Sequence, residues 1–296
     1  MYHALTGYIF TAYCHFLVYA LDQFDIANVT LQADKPQLHL LRRVLQKLLR
    51  NILVKFVKPA AFQGVQLTEV DYKQNYNIKN DQDVALGSAA RDFIKEKNIQ
   101  PASVAIIVEK AKLFYQTAVD YIIKKLPLND EFLKHAEVFD IGNLSTSHFR
   151  SVEYFHRRFP ALQAIFDLND LQDEFYNLQI EEISPEIVNM ERADMQWAAI
   201  AELKDCTGGP KFGKIAKFAL IIFTIPSSNA SCERVFSFVK RVRTDFRESM
   251  NTSTLNALCS VKMDMKSRKT ACYNQKYDPA AIKAAKSATV QHNTKA

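Results

Sequence analysis

At 296 residues, with 48% hydrophobic and 24% charged side chains, the chain can bury one large core or two ordinary ones, which argues against bulk disorder. Only 7 glycines and 9 prolines punctuate it, and the abundance of Leu, Ala, Lys, Gln and Glu predicts a mostly helical, all-α chain. Cys14, Cys206, Cys232, Cys259 and Cys272 are scattered with no Cys-x-x-Cys pair, against a disulfide framework or a cysteine zinc site and in keeping with a reducing, intracellular compartment. The net charge of +6 hides an asymmetry. From Lys35 to Thr68 there are seven Lys or Arg and no acid; from Asp167 to Asp205, eleven acids face only Arg192 and Lys204. Basic blocks are either solvated helix faces or contacts for a polyanion such as nucleic acid, and both readings stand at this point.

In chain order, residues 1–21 are apolar. No basic n-region precedes them, and Tyr2, His3, Thr6, Tyr8, Thr11, Tyr13 and His15 interrupt the run, so neither a signal peptide nor a membrane span is expected. Leu5, Ile9, Ala12, Phe16, Ala20 and Phe24 recur at helical spacing, which predicts a buried helix over about 4–23. A second helix is predicted over 36–57, with Leu41, Leu45, Leu48, Ile52 and Phe56 on one stripe and Arg42, Arg43, Lys47, Arg50 and Lys55 elsewhere around it. Residues 59–82 read as a loop. Pro101 opens a helix that Pro127 ends, with Val104, Ile107, Ala111, Phe114, Ala118, Tyr121 and Ile122 as its stripe. Shorter helices follow near 130–139 and 147–158.

The acidic stretch carries the single tryptophan, Trp197, and ends in Cys206-Thr207-Gly208-Gly209-Pro210. That glycine pair is a chain break, because it lacks the spacing and the Lys-Ser/Thr of a phosphate-binding loop. Helices over 211–223, 229–243 and 253–265 come next, and the residues past Lys266 read as a polar, mobile tail. The seven histidines form no metal-ligand pair with a third ligand, and no metal or other cofactor is expected. Asp140, Asp167 and Asp170 read as solvated carboxylates.

The most specific stretch is Ile225-Pro226-Ser227-Ser228-Asn229-Ala230-Ser231-Cys232-Glu233-Arg234-Val235-Phe236-Ser237. Ser227, Ser228 and Asn229 suit a helix start, and Glu233 suits the positive end of the helix dipole. Cys232, Val235, Phe236, Val239, Val242 and Phe246 make one apolar face. Physics alone gives Glu233 no special role. The order Phe218-Ala219-Leu220, Pro226-Ser227-Ser228-Asn229-Ala230, Cys232 to Ser237, then Arg247-x-x-Met250 and Leu255-x-x-Leu258, with Trp197 ahead of it, resembles the C-terminal region of hAT-family transposases. The resemblance is sharp over about 190–266 and diffuse over about 30–165. Ser249 stands where many relatives carry a second arginine.

The resemblance implies a helical, insertion-like region followed by the terminal helices of an RNase H-like domain. It divides the chain into 1–165 (insertion-like), 166–210 (acidic connector), 211–266 (dimerisation region) and 267–296 (tail). It implies dimerisation carried by Pro226, Ser228, Ala230, Glu233, Arg234, Val235, Phe236, Ser237, Val239, Arg247, Leu255 and Leu258. Pro226, Phe236, Val239, Leu255 and Leu258 are expected to hold the second part together. Of the family's three catalytic carboxylates only the last, at Glu233, is matched. The chain is expected to begin downstream of the other two, without their strands and without a zinc-coordinating DNA-binding finger. Two-metal chemistry needs several carboxylates around cations about 3.5–4 Å apart, so a non-enzymatic, transposase-derived protein is expected, domesticated or degenerate. Its partners would be a second copy or hAT-related proteins, and its location the nucleus, with no membrane. The alternative is a nucleic-acid-binding remnant using Arg42, Arg43, Lys47, Arg50, Lys240, Arg241 and Arg243 on phosphates.

Overall fold

A computed structural model describes residues 7–244, 250–268, 270–274 and 276–293. Helix accounts for 72% and strand for 1%, so the all-α expectation holds; no sheet is present among the described residues. The chain divides into two compact units, Met1–Asn229 and Ala230–Ala296.

In the first unit the helices are α1 (Tyr8–Leu31), α2 (Leu38–Phe56), α3 (Ser88–Glu96), α4 (Pro101–Lys125), α5 (Glu131–Ala136), α6 (Arg150–Arg158), α7 (Pro160–Ile165), α8 (Leu168–Gln179), α9 (Pro185–Val188), α10 (Ala193–Ala201) and α11 (Gly213–Ile222). Their starts follow the local chemistry. Pro101 and Pro160 open α4 and α7, where a missing N–H costs nothing. Asp130 accepts from the Leu133 amide at 3.0 Å, and Asp167 from those of Asn169 and Asp170 at 2.8 and 3.2 Å. Asp167 is therefore a helix cap.

α1 packs on α2, α3 and α4, and α2 also on α5. Phe16, Phe56 and Tyr115 meet there: Phe56 stacks on Tyr115 at 5.7 Å and Phe16 meets it edge-on at 5.5 Å. The Tyr115 hydroxyl donates to the Ala85 carbonyl at 2.7 Å, so its one polar atom is satisfied inside the core. Gly87, just before α3, has φ +86°, and a Cβ there would lie 2.6 Å from the Tyr19 ring. Only glycine fits that corner.

Several helical expectations shift. α1 runs eight residues past Gln23, to Leu31, and Ala12, Phe16, Ala20 and Ala27 face the core while Ile9 is exposed. On α4, Tyr121 is 65% exposed and Tyr115, Val108 and Val119 are buried in its place. Both chains of residues are apolar at several registers, so spacing alone does not select the inner face. α3 was not foreseen: it is nine residues long and Ala90 is its one buried residue. Residues 59–82, read as a loop, hold short 3-10 turns.

The acidic segment contributes core. Leu171, Phe175 and Leu178 of α8, Ile187 of α9, and Ala193, Trp197 and Ile200 of α10 are buried. α10 lies along α11, and α8 packs on α11. The Asp205 carboxylate ties the turn between α10 and α11, accepting from Thr207 N, Thr207 Oγ1 and Gly209 N at 2.8, 2.6 and 3.0 Å. Glu174 of α8 then serves as a cap from another helix: its Oε2 accepts from the Lys214 and Ile215 amides of α11 at 2.9 and 2.8 Å. Burial pushes the Glu174 carboxyl up, against the opposing pull of those two amides. Glu174→Ala is expected to cost about 1–2 kcal/mol in chemical denaturation by freeing two first-turn amides; a loss below about 0.5 kcal/mol would show that water replaces it.

The second unit contains α12 (Ala230–Val242), α13 (Thr252–Ser267) and α14 (Pro279–Asn293), with a 3-10 turn at Cys272–Asn274. Asn251 caps α13, accepting from the Thr254 amide at 2.8 Å. α12 packs on α13. Within 267–296, the segment read as a tail, the described structure is that turn and α14.

Candidate association surface

Pro226 is exposed, three residues beyond the last buried side chain of the first unit, Phe223. Ser228 is half-buried, and Ala230, the first residue of α12, likewise. α12 then turns three kinds of face. Val235, Phe238, Val239 and Val242 are half-buried, as are Leu255, Cys259 and Met265 on α13. Glu233, Arg234 and Ser237 are exposed. Phe236 is 65% exposed and Leu258 40%.

Phe236 and Leu258 therefore do not hold this unit together, contrary to expectation. Phe236 lies 100° around the helix from Val235 and so leaves the face that Val235, Phe238, Val239 and Val242 share. Val239 and Leu255 are half-buried. Phe238, which the sequence reading passed over, lies on the inner face, with the Lys262 ammonium 5.9 Å from its ring centre. Its signal was available: Val235, Phe238, Val239 and Val242 follow the i, i+3, i+4, i+7 pattern. Val261 and Met263 on α13 are also more than half exposed. Arg247, with Phe246 and Ser249, lies outside the described residues.

α12 and α13 enclose a cleft of about 240 Å³. Val235, Phe238, Cys259 and Met263 supply its apolar lining, and Arg234, Arg241, Lys262 and Lys266 its charge. The Arg241 Nε donates to the Ser237 carbonyl at 3.3 Å.

The basic residues near the start of the chain are placed differently. Arg42 pairs with Glu137 at 3.1 Å and Arg43 with Asp140, both pairs being only partly exposed. Lys35 reaches Glu191 at 3.0 Å, the Lys55 ammonium sits 3.7 Å over the Tyr19 ring, and Lys58 donates to the Tyr76 carbonyl at 2.8 Å. Five of the seven basic residues in that block are thus held by partners inside the fold. Lys47 and Arg50 are exposed on α2, and Lys240, Arg241 and Arg243 on or just past α12.

Asp140 also accepts from the Gly142 amide and the Asn143 side chain, at 3.3 and 3.0 Å, and Asp170 pairs with Lys214. Near Asp140, His39 is buried, edge-on to Phe223 at 5.2 Å, and its Nδ1 has no protein hydrogen-bond partner. Burial, offset in part by Asp140, lowers the His39 imidazole to about 4. Among the described residues no three His, Cys, Asp or Glu side chains gather to hold a metal ion. Among the same residues no helix is long and apolar enough to cross a membrane.

Residues 194–265 match the sequence model of the hAT family C-terminal dimerisation region. The match begins in α10 and ends in α13. No curated protein and no solved structure matches the chain.

Proposed function

We propose that this chain, through the region that matches the hAT dimerisation model, associates with a second copy of itself or with a hAT-related protein, and that it performs no strand transfer of its own. The observation that carries the reading is the solvent exposure of large apolar residues inside the matched region: Phe236 at 65%, Val261 at 54%, Met263 at 51% and Leu258 at 40%. Large exposed apolar residues on two packed helices commonly mark an interaction surface, and a two-fold pair is the commonest closed way to cover one. Aromatic anchors such as Phe236 carry a large share of the energy in such interfaces. On this reading the helices after Pro226 are the terminal helices of an RNase H-like parent, kept for assembly.

Glu233 supports the second half of the proposal. It is exposed in the first turn of α12, where a carboxylate favours the helix dipole without any metal. Its role is then helix stabilisation, of the order of 0.5 kcal/mol.

Sedimentation velocity of the chain, with Phe236→Asp beside it, tests the proposal. The expected result is a concentration-dependent dimer whose dissociation constant rises at least about tenfold in the variant, as for a hot-spot aromatic. Because Phe236 is exposed in the single chain, thermal unfolding of the dissociated protein should not change. A wild-type chain that stays monomeric at high concentration sinks the proposal, as does a Phe236→Asp dimer of unaltered affinity.

A further inference from the structure

We infer that α12 and α13 of one copy form a single shared core with α12 and α13 of a second copy, so that these helices are stable only when the chain associates. The inference rests on the proposal that the chain self-associates, and adds that pairing and the folding of this part are one step.

The matched region changes character at Phe223. Before it, Trp197, Ile200, Phe212, Ile215, Phe218 and Ile222 are all buried in the first unit. After it, no side chain among the described residues is buried. Even the inner face of the second unit, with Val235, Phe238 and Val239 on α12 and Leu255, Cys259 and Met265 on α13, is only half-buried. Full burial of a large apolar side chain contributes about 1.5–3 kcal/mol, and none of these side chains collects it in the single chain. Nor is the interior closed, since the cleft of about 240 Å³ lined by Val235, Phe238, Cys259 and Met263 lies open between the helices. Folded interiors are close-packed and leave few voids larger than a water molecule. α12 has 13 residues and α13 has 16, the length at which a helix without tertiary burial is marginal in water.

The open interior and the exposed apolar surface are continuous. Met263 lines the cleft and is 51% exposed, and Leu258 and Val261 are exposed on the same helix. An interface of standard size takes about 20–30 residues from each side, which is as much as α12 and α13 together possess. Association therefore uses the very residues that would have to serve as a core. Obligate pairs are of this kind: the interface resembles a domain core cut in half, and the separated chain has no stable folded counterpart. A second copy brings the same deficit and the same surface, so one two-fold contact closes both. Two helices packed on two is a common architecture in which every member hides its apolar face. The first unit has its own core and needs no such completion.

Hydrogen exchange read by mass spectrometry, on the full chain above and below its dissociation constant, tests the inference. In the dimer the amides of Ala230–Val242 and Thr252–Ser267 should be protected. On dissociation they should exchange at least about tenfold faster, while those of α2, α4, α10 and α11 keep their protection. The Phe236→Asp chain supplies the monomer at concentrations where the wild type is paired, and should leave the same two segments unprotected with the Tm of the first unit unchanged. Equal protection of both segments in monomer and dimer overturns the inference and leaves self-association standing, because these helices would then fold alone. Segments that stay unprotected in the dimer overturn it as well. A wild-type chain that is monomeric at every concentration sinks the self-association reading itself, and the shared core with it.

Discussion

Trp197→Ala is expected to lower the unfolding free energy by about 4–5 kcal/mol, a large share of the margin of about 5–15 kcal/mol that a domain of ordinary stability possesses. Trp197 is 1% exposed on α10, and its ring meets Phe139 edge-on at 6.2 Å. Phe139 in turn touches Phe155, Phe218 and Phe223, so the indole supports a cluster that draws on α6, α10 and α11. Truncation removes the transfer energy of the ring and leaves a cavity that these aromatic walls cannot close. It also strands the Phe139 carbonyl, which accepts from the Trp197 Nε1 at 2.9 Å. Trp197→Phe separates the two contributions: much of the packing survives and the hydrogen bond does not, for a loss of about 2 kcal/mol. Far-UV circular dichroism in urea measures both, since the variants lack the only tryptophan. A loss below about 2 kcal/mol for Trp197→Ala would mean that the cluster repacks.

Acidification should destabilise the first unit through His39. Its imidazole titrates near 4 in the folded chain, against an ordinary 6.5, because burial penalises the cation more than Asp140 favours it. The folded state therefore binds fewer protons than the unfolded one between those two values. Stability rises with pH across that window, so on acidification it falls from about pH 6.5 down to about pH 4. One proton gives a slope of about 1.4 kcal/mol per pH unit, and the whole window is worth about 3 kcal/mol. Carboxylates add their own slope toward the acid end, which the comparison with His39→Leu removes. That variant should flatten the dependence by close to one proton between pH 6.5 and 5. An unaltered slope would show that His39 protonates freely in the fold, with Asp140 or water receiving the charge.

The two expectations differ in how far the sequence announces them. Trp197 stands in the region that resembles the family, and a lone tryptophan amid Ala and Ile on a short helix reads as core. Nothing near His39 in the chain announces its burial. The ring that packs on it, Phe223, is far along the sequence, and so is Asp140. The acidic segment is a similar case. Its composition reads as a solvated connector, but Leu171, Phe175 and Leu178 recur at core spacing, and Glu174 gives its carboxylate to the start of α11 rather than to water.

Sequence by itself determined the all-helical class, the positions of the long helices from period and proline placement, and the match over 194–265, because these depend on local spacing and residue type. The family resemblance, not periodicity, singled out Glu233. Tertiary structure alone decided which residues are free to act. Arg42 and Arg43 look like a phosphate-binding pair along the chain, but the fold brings Glu137 and Asp140 beside them. On α12 the choice between Phe236 and Phe238 for the inner face is a rotation of 200°, settled by where α13 packs. Charge partners and helix facing are set by contacts between residues distant in sequence, and a pattern read along one chain contains no term for them.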